Sequence, residues 1–183
     1  MTRIRPATLL DAPALQAIYG HHVLNGFGSF EEAPPSVEEM GERWAAITAR
    51  GLPYRVAEVD GMVAGLAYAG PYRIRSAYRY TVEDTVYVAP GHQGRGVGKA
   101  LVQDVIEACE ALGLRRMMAF IGDSGNAGSI GVHRSCGFRH VGKLEKVGFK
   151  GGRWLDVVVM ERDLGGEAQD APPSGPGLDL SRG

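Results

Sequence analysis

A chain of 183 residues with 44% apolar side chains is sized for one domain with a substantial core. Its 20 basic and 21 acidic side chains leave a formal charge of −1, which argues against bulk nucleic-acid binding, since that needs a strong positive excess or a concentrated basic face. No apolar run reaches the ~18 residues of a membrane span, and the opening Met1-Thr2-Arg3-Ile4-Arg5-Pro6 carries no apolar signal-peptide core.

In chain order, residues 2–6 read as a short strand stopped near Pro6. Thr8 or Asp11 is suited to cap a first helix on which Leu15, Ile18 and Tyr19 recur at helical spacing, with Pro13 in its first turn. Residues 25–35 have loop chemistry. Ser36-Val37-Glu38-Glu39 resembles a capping box and opens a second helix reaching about Thr48. The period then changes: 54–59 and 62–68 read as strands joined by Asp60-Gly61, a strong short hairpin signal. An aromatic, basic loop follows Gly70-Pro71, and 81–88 is a further strand.

Residues 97–112 form the most regular helix, with Leu101, Val102, Val105, Ile106, Cys109 and Leu112 on one face and Gly113 as its stop. A buried strand at 116–121, a short helix at 129–136 and strands at about 138–148 and 153–162 complete an order β-α-α-β-β-β-α-β-α-β-β. That order is an α/β chain with a mixed sheet of about seven strands flanked by helices. Residues 1–164 form the expected domain. Residues 165–183, rich in Gly, Pro, Asp and Ser, read as a disordered tail. Cys109 and Cys136 sit in apolar helical patterns without metal-ligand spacing. They read as buried hydrophobes in a reducing cytoplasm, and no metal site is expected.

The sharpest motif is Gln93-Gly94-Arg95-Gly96-Val97-Gly98-Lys99, set between a strand and the long helix. Glycines let the backbone turn tightly and approach a ligand, and the free N–H groups of the first helical turn attract an anion such as pyrophosphate. Arg95 and Lys99 add countercharge. A phosphate loop of the GxxxxGK[ST] type fails because Ala100 follows Lys99, and a dinucleotide fingerprint belongs in a βαβ unit near the start of a sheet. A Gln-x-x-Gly-x-Gly turn after the fourth strand instead resembles the pyrophosphate loop of the GNAT superfamily of N-acetyltransferases. Ala57-Glu58-Val59-Asp60-Gly61, Ala67-Tyr68-Ala69-Gly70-Pro71, Thr85-Val86-Tyr87-Val88 and Phe149-Lys150-Gly151-Gly152-Arg153-Trp154 are similar to its phosphinothricin and methionine sulfoximine branch, over about residues 2–163.

Glu83 is the candidate base: strand alternation places it with Thr81, Thr85 and Tyr87, surroundings that raise a carboxyl pKa. The resemblance assigns the same role to the matching Glu. Asp84 faces the other way and is the weaker candidate. His133 occupies the place where most of the superfamily carries a thiolate-protonating Tyr and where this branch carries His. It serves as acid or base near neutrality, or hydrogen-bonds Glu83 or the cofactor. The resemblance implies acetyl-CoA as cosubstrate, held by Val86, Tyr87 and Val88, by residues 93–99, and by Asn126. It also implies a homodimer.

The loop before Glu83 carries arginines suited to an acceptor carboxylate or phosphinate, with Arg75 and Tyr78 the preferred contacts and Arg73 the alternative. Phe30 and Thr85 are expected to line the acceptor pocket. The expected activity is therefore acetyl transfer to the amine of a small amino-acid-like molecule. Acetylation of a protein N-terminus or a polyamine, and a non-catalytic acyl-CoA-binding sensor, are the competing readings. The arginines argue against a polyamine.

Overall fold

The computed structural model describes residues 2–165 and 175–181. Its strands are β1 (Thr2–Pro6), β2 (Tyr54–Val59), β3 (Met62–Pro71), β4 (Thr81–Val88), β5 (Arg116–Gly122), β6 (Arg139–Lys150) and β7 (Arg153–Asp163). Its helices are α1 (Ala12–Asn25), α2 (Val37–Thr48), α3 (Val97–Ala111) and α4 (Ala127–Ser135). The strands form one sheet in the spatial order β1-β2-β3-β4-β5-β7-β6. Every neighbouring pair is antiparallel except β4 and β5, which run parallel because α3 carries the chain back between them.

Local chemistry starts and stops the elements. The Ser36 hydroxyl accepts a 3.1 Å bond from the Glu39 N–H and so caps α2. Asp60 (φ 52°) and Gly61 (φ 79°) make the tight β2–β3 turn. The start of α1 differs from a simple cap. A single 3-10 turn, Leu9–Asp11, precedes it, and the buried Asp11 carboxylate accepts from the Thr8 N–H (2.7 Å) and from both terminal nitrogens of Arg5 (2.8 Å each). The Arg5 guanidinium holds this carboxyl down at about 2.

Strand alternation gives the sheet two cores. On one face Val82, Ala67 and Ala69 pack against the apolar side of α3 and against Phe138. On the other, Tyr54, Val56 and Leu66 pack under α1 and α2, against Leu15, Ile18, Tyr19, Val23 and Met40. Two strands run beyond their expected ends. β3 continues to Pro71 because residues 69–71 pair with 84–82 of β4, and β6 continues to Lys150 because it pairs with Arg153 across the hairpin.

Residues 166–174 and 182–183 of the expected tail lie outside the described residues. Residues 175–181 depart from the expectation of disorder. The Leu178 N–H donates to the Arg79 carbonyl (2.8 Å), the Tyr80 hydroxyl donates to the Gly175 carbonyl, and Leu178 packs at the margin of the α3-side core.

Leu101 is fully buried at the centre of the α3-side core. Leu101→Ala is expected to destabilise the fold by ~2–5 kcal/mol, read as a lower midpoint in urea with an unchanged slope.

Candidate active site

β4 and β5 are paired only at Thr81–Arg116, Val82–Met117 and Glu83–Met118. Beyond Glu83 the two strands part: β4 stays with β3 as far as Val88, and β5 stays with β7 as far as Gly122. The gap opens into a cavity of about 1020 Å³. From β4, Glu83, Thr85, Val86, Tyr87 and Val88 line it; from the glycine turn and α3, Gln93, Gly94, Gly96, Val97, Gly98 and Lys99 do so. Phe30, Asn126 and His133 close it from other elements.

The two faces of β4 look at different surroundings. Val82, Val86 and Val88 belong to the α3 face, whereas Tyr87 packs with the α1–α2 core. Glu83 and Thr85 share the side of Tyr87. Among the described residues the Glu83 carboxylate makes no hydrogen bond. Burial raises its pKa and the neighbouring Asp84 charge adds to the rise, against an opposing pull from Arg73.

On the α3 face the chain turns through Gly94 (φ 73°) and Gly96 (φ 80°) into α3. Both glycines have left-handed backbones with open space where a Cβ would stand. Gly96 caps the helix without a side-chain bond, so the first N–H groups of α3 face the cavity mouth unpartnered within the helix. Gly98 is buried, with Val88 and Val132 at contact distance from where its Cβ would lie, which brings the helix start close against β4 and α4. Gln93 accepts from the Gly91 N–H (3.0 Å), bracing the turn. This arrangement fits a diphosphate. Arg95 is exposed and lies outside the cavity wall, pointing its charge at solvent from the middle of the turn.

Asn126 caps α4 by accepting from the Ser129 N–H (3.1 Å). One turn later His133 is almost wholly buried. Its Nδ1 lies 2.7 Å from the Ser129 carbonyl oxygen and its Nε2 3.0 Å from Asp84 Oδ2. The expected alternative partner, Glu83, is thereby corrected: alternation sends Glu83 to the opposite face of β4, and Asp84 takes the bond. A carbonyl oxygen only accepts, so Nδ1 carries a hydrogen and donates it to Ser129. Burial pulls the His133 pKa down, but the charge and hydrogen bond of Asp84, with help from the Ser129 carbonyl, raise it overall.

The acceptor-side expectations divide. Phe30 and Thr85 line the cavity; Arg73, Arg75 and Tyr78 do not. These three are exposed on the β3–β4 connection, where a 3-10 turn, Ser76–Tyr78, turns them outward. Arg73 and Tyr78 reach the cavity wall indirectly. Arg73 lies over the Tyr72 ring (4.9 Å), Tyr78 meets Tyr72 edge-on (5.4 Å), and Tyr72 stacks on Phe120, which lines the cavity.

Other cavity residues carry no local sequence signal. His22, on α1, donates from Nε2 to the Val88 carbonyl (2.8 Å) at the end of β4 and is kept neutral by burial. Tyr19 and Glu31 also line the wall, hydrogen-bonded to each other at 2.7 Å. Only the fold brings these positions together.

A parallel strand pair parted over an anion-binding turn, with a titratable carboxylate beside the gap, marks a group-transfer enzyme. Residues 16–138 match the Acetyltransferase (GNAT) family, and the chain belongs to that family. It is 53% identical over 154 residues, 84% of this chain and 78% of the other, to the phosphinothricin N-acetyltransferase of Alcaligenes faecalis. It is 41% identical over 88% of its length to the L-methionine sulfoximine/L-methionine sulfone acetyltransferase of Pseudomonas aeruginosa, covering 94% of that protein. Its fold superimposes, with a TM-score of 0.90 at 43% identity, on a GNAT superfamily phosphinothricin acetyltransferase from Sinorhizobium meliloti crystallised with acetyl-CoA; 95% of this chain and 94% of that one are covered.

Because the His133 pKa is raised above its ordinary 6.5, the stability gained from its pairing is complete below about pH 6.5 and fades as pH climbs through the raised value. Asp84→Asn is expected to lower the His133 titration midpoint, followed by NMR of the ring protons. Its stability deficit relative to the parent protein should be largest in mild acid and shrink in alkali.

Proposed function

We propose that this acetyltransferase moves acetyl from acetyl-CoA to the α-amine of a small amino acid of the phosphinothricin or methionine sulfoximine type. The observation that carries the reading is Glu83: a partly buried carboxylate with a raised pKa and no hydrogen bond among the described residues, next to the point where β4 and β5 part. The thioester enters from the α3 face, its diphosphate on the Gln93–Lys99 turn and its pantetheine arm along Val86 to Val88, with Asn126 on the far side. The amine enters from the α1–α2 face. Names and structures of the relatives support the same chemistry.

An ammonium has no lone pair, so an α-amine must lose a proton before it attacks. In this reading Glu83 takes that proton, directly or through one water. The amine nitrogen bonds to the acetyl carbon, a backbone N–H of β4 meets the charge developing on the carbonyl oxygen, and as the carbon–sulfur bond breaks the nitrogen's surplus proton passes to the departing thiolate. His133 lines the cavity with both ring nitrogens engaged, by the Ser129 carbonyl and by Asp84, and in this reading it holds α4 against β4 beside the departing sulfur. The acceptor carboxylate is assigned to the β3–β4 loop, where Arg75, Tyr78 and Arg73 stand exposed outside the cavity wall and the Arg73 charge acts on Glu83.

We also infer that two copies associate, and that the enzyme works in the cytoplasm. The exposed Val141, Leu144, Val147, Phe149 and Trp154 of the β6–β7 hairpin support the association. The buried free thiols Cys109 and Cys136 fit the compartment.

Glu83→Gln is expected to lower kcat on phosphinothricin or methionine sulfoximine by ~10²–10⁴, while calorimetry shows acetyl-CoA binding intact. Parent protein that acetylates peptides alone, or no amine at all, would overturn this assignment.

A further inference from the structure

We infer that Lys150 is a positioning residue for acceptor recognition, fastening the 26–31 loop so that the Phe30 ring forms a fixed wall over the space that Gly148 leaves. This rests on the reading above, in which the acceptor enters from the face that carries Glu83.

Lys150 is the last residue of β6 and is only 8% exposed. Its ammonium donates to the Gly26 carbonyl at 3.0 Å and to the Ser29 carbonyl at 2.7 Å. Those two carbonyls bracket the turn that bears Phe27 and Gly28. Withdrawing an ammonium from water is costly, and here burial pulls its pKa down. Such a group persists where its donors organise something. What it organises is a stretch of backbone in which every residue from Gly26 to Glu31 lines the cavity.

The surroundings are shaped for the same loop. The Arg153 guanidinium lies 3.8 Å from the Phe27 ring centre and pairs with Asp123 at 2.7 Å. A Cβ at Gly122 would stand 2.7 Å from the Phe27 carbonyl oxygen, and a Cβ at Gly148 would overlap the Phe30 ring itself. From the opposite side the Tyr19 hydroxyl lies 3.0 Å from Ser29 Oγ, and Arg43 holds Glu31 at 2.7 Å. The loop is therefore fastened at both ends, and Lys150 is its anchor to the β6–β7 hairpin. A wall of this kind limits the size of acceptor side chain that reaches Glu83.

The test compares Lys150→Met and Gly148→Ala with the parent protein. Lys150→Met should raise the KM for phosphinothricin or methionine sulfoximine by about tenfold, the scale of a lost charged hydrogen bond. It should leave acetyl-CoA affinity unchanged and kcat within about threefold, and relax discrimination against bulkier amino acids. Amide hydrogen exchange over residues 26–31 should quicken. Gly148→Ala, with Lys150 in place, should shift acceptor KM by displacing Phe30 while exchange in the loop stays slow. A folded Lys150→Met variant with parental loop exchange overturns the inference whatever the acceptor proves to be. So does an equal rise in both KM values, or a Gly148→Ala variant with parental acceptor preference. Absence of amino-acid turnover in the parent protein would instead sink the function proposed above, and the exchange measurement would still decide whether Lys150 holds the loop.

Discussion

The separation of β4 from β5 is the constraint on which the rest depends. Parallel strands satisfy each other's backbone groups, and parting them partway leaves N–H and C=O groups of β4 without a ladder. The protein bears that cost beyond Glu83–Met118. It contains it by keeping each strand paired on its other side, β4 with β3 and β5 with β7. His22 gives the Val88 carbonyl a partner at the far end of the gap. What remains is a slot with polar backbone on its wall, open from both faces of the sheet. An extended ligand that hydrogen-bonds like a strand fits that slot.

Because a strand's side chains alternate, one strand serves both faces. Successive residues of β4 divide the labour. Asp84 turns toward α4 and binds His133, Val86 and Val88 pack toward α3, and Glu83, Thr85 and Tyr87 turn toward α1 and α2. The glycine turn and the 26–31 loop therefore line different parts of one continuous cavity. A register slip of one residue in β4 would exchange the faces and destroy both, so the long, regular pairing of β3 with β4 is part of the site.

Most of the fold was legible in the sequence because its signals are local. Ser36 followed by Glu39 caps α2, Asp60-Gly61 turns β2 into β3, and the apolar face of 97–112 identifies α3. The glycine turn was legible for the same reason: an anion site made of consecutive backbone groups is written in consecutive letters. Element ends were less legible where a partner strand decides them, as at Pro71 and Lys150. The site was only half legible. Strand alternation separates Glu83 from Asp84, but nothing within the chain's local pattern says that His133, 49 residues on, meets Asp84. Lys150 reaches carbonyls more than 120 residues away. Arg75 and Tyr78 have the right chemistry in the right loop, yet backbone geometry in a short 3-10 turn faces them outward, and composition does not encode that direction.

The adjacent carboxylates Glu83 and Asp84 meet two different surroundings from one short segment of β4. Asp84 is buried with a partner. His133 gives it a hydrogen bond and a countercharge, which offsets the cost of withdrawing a carboxylate from water. Glu83 is partly buried without one, so burial acts on it unopposed except for Arg73, and the Asp84 charge pushes in the same direction. The pairing of Asp84 with His133 is therefore more than a brace for α4: it is part of what tunes Glu83. Its removal acts on both sides of the sheet at once.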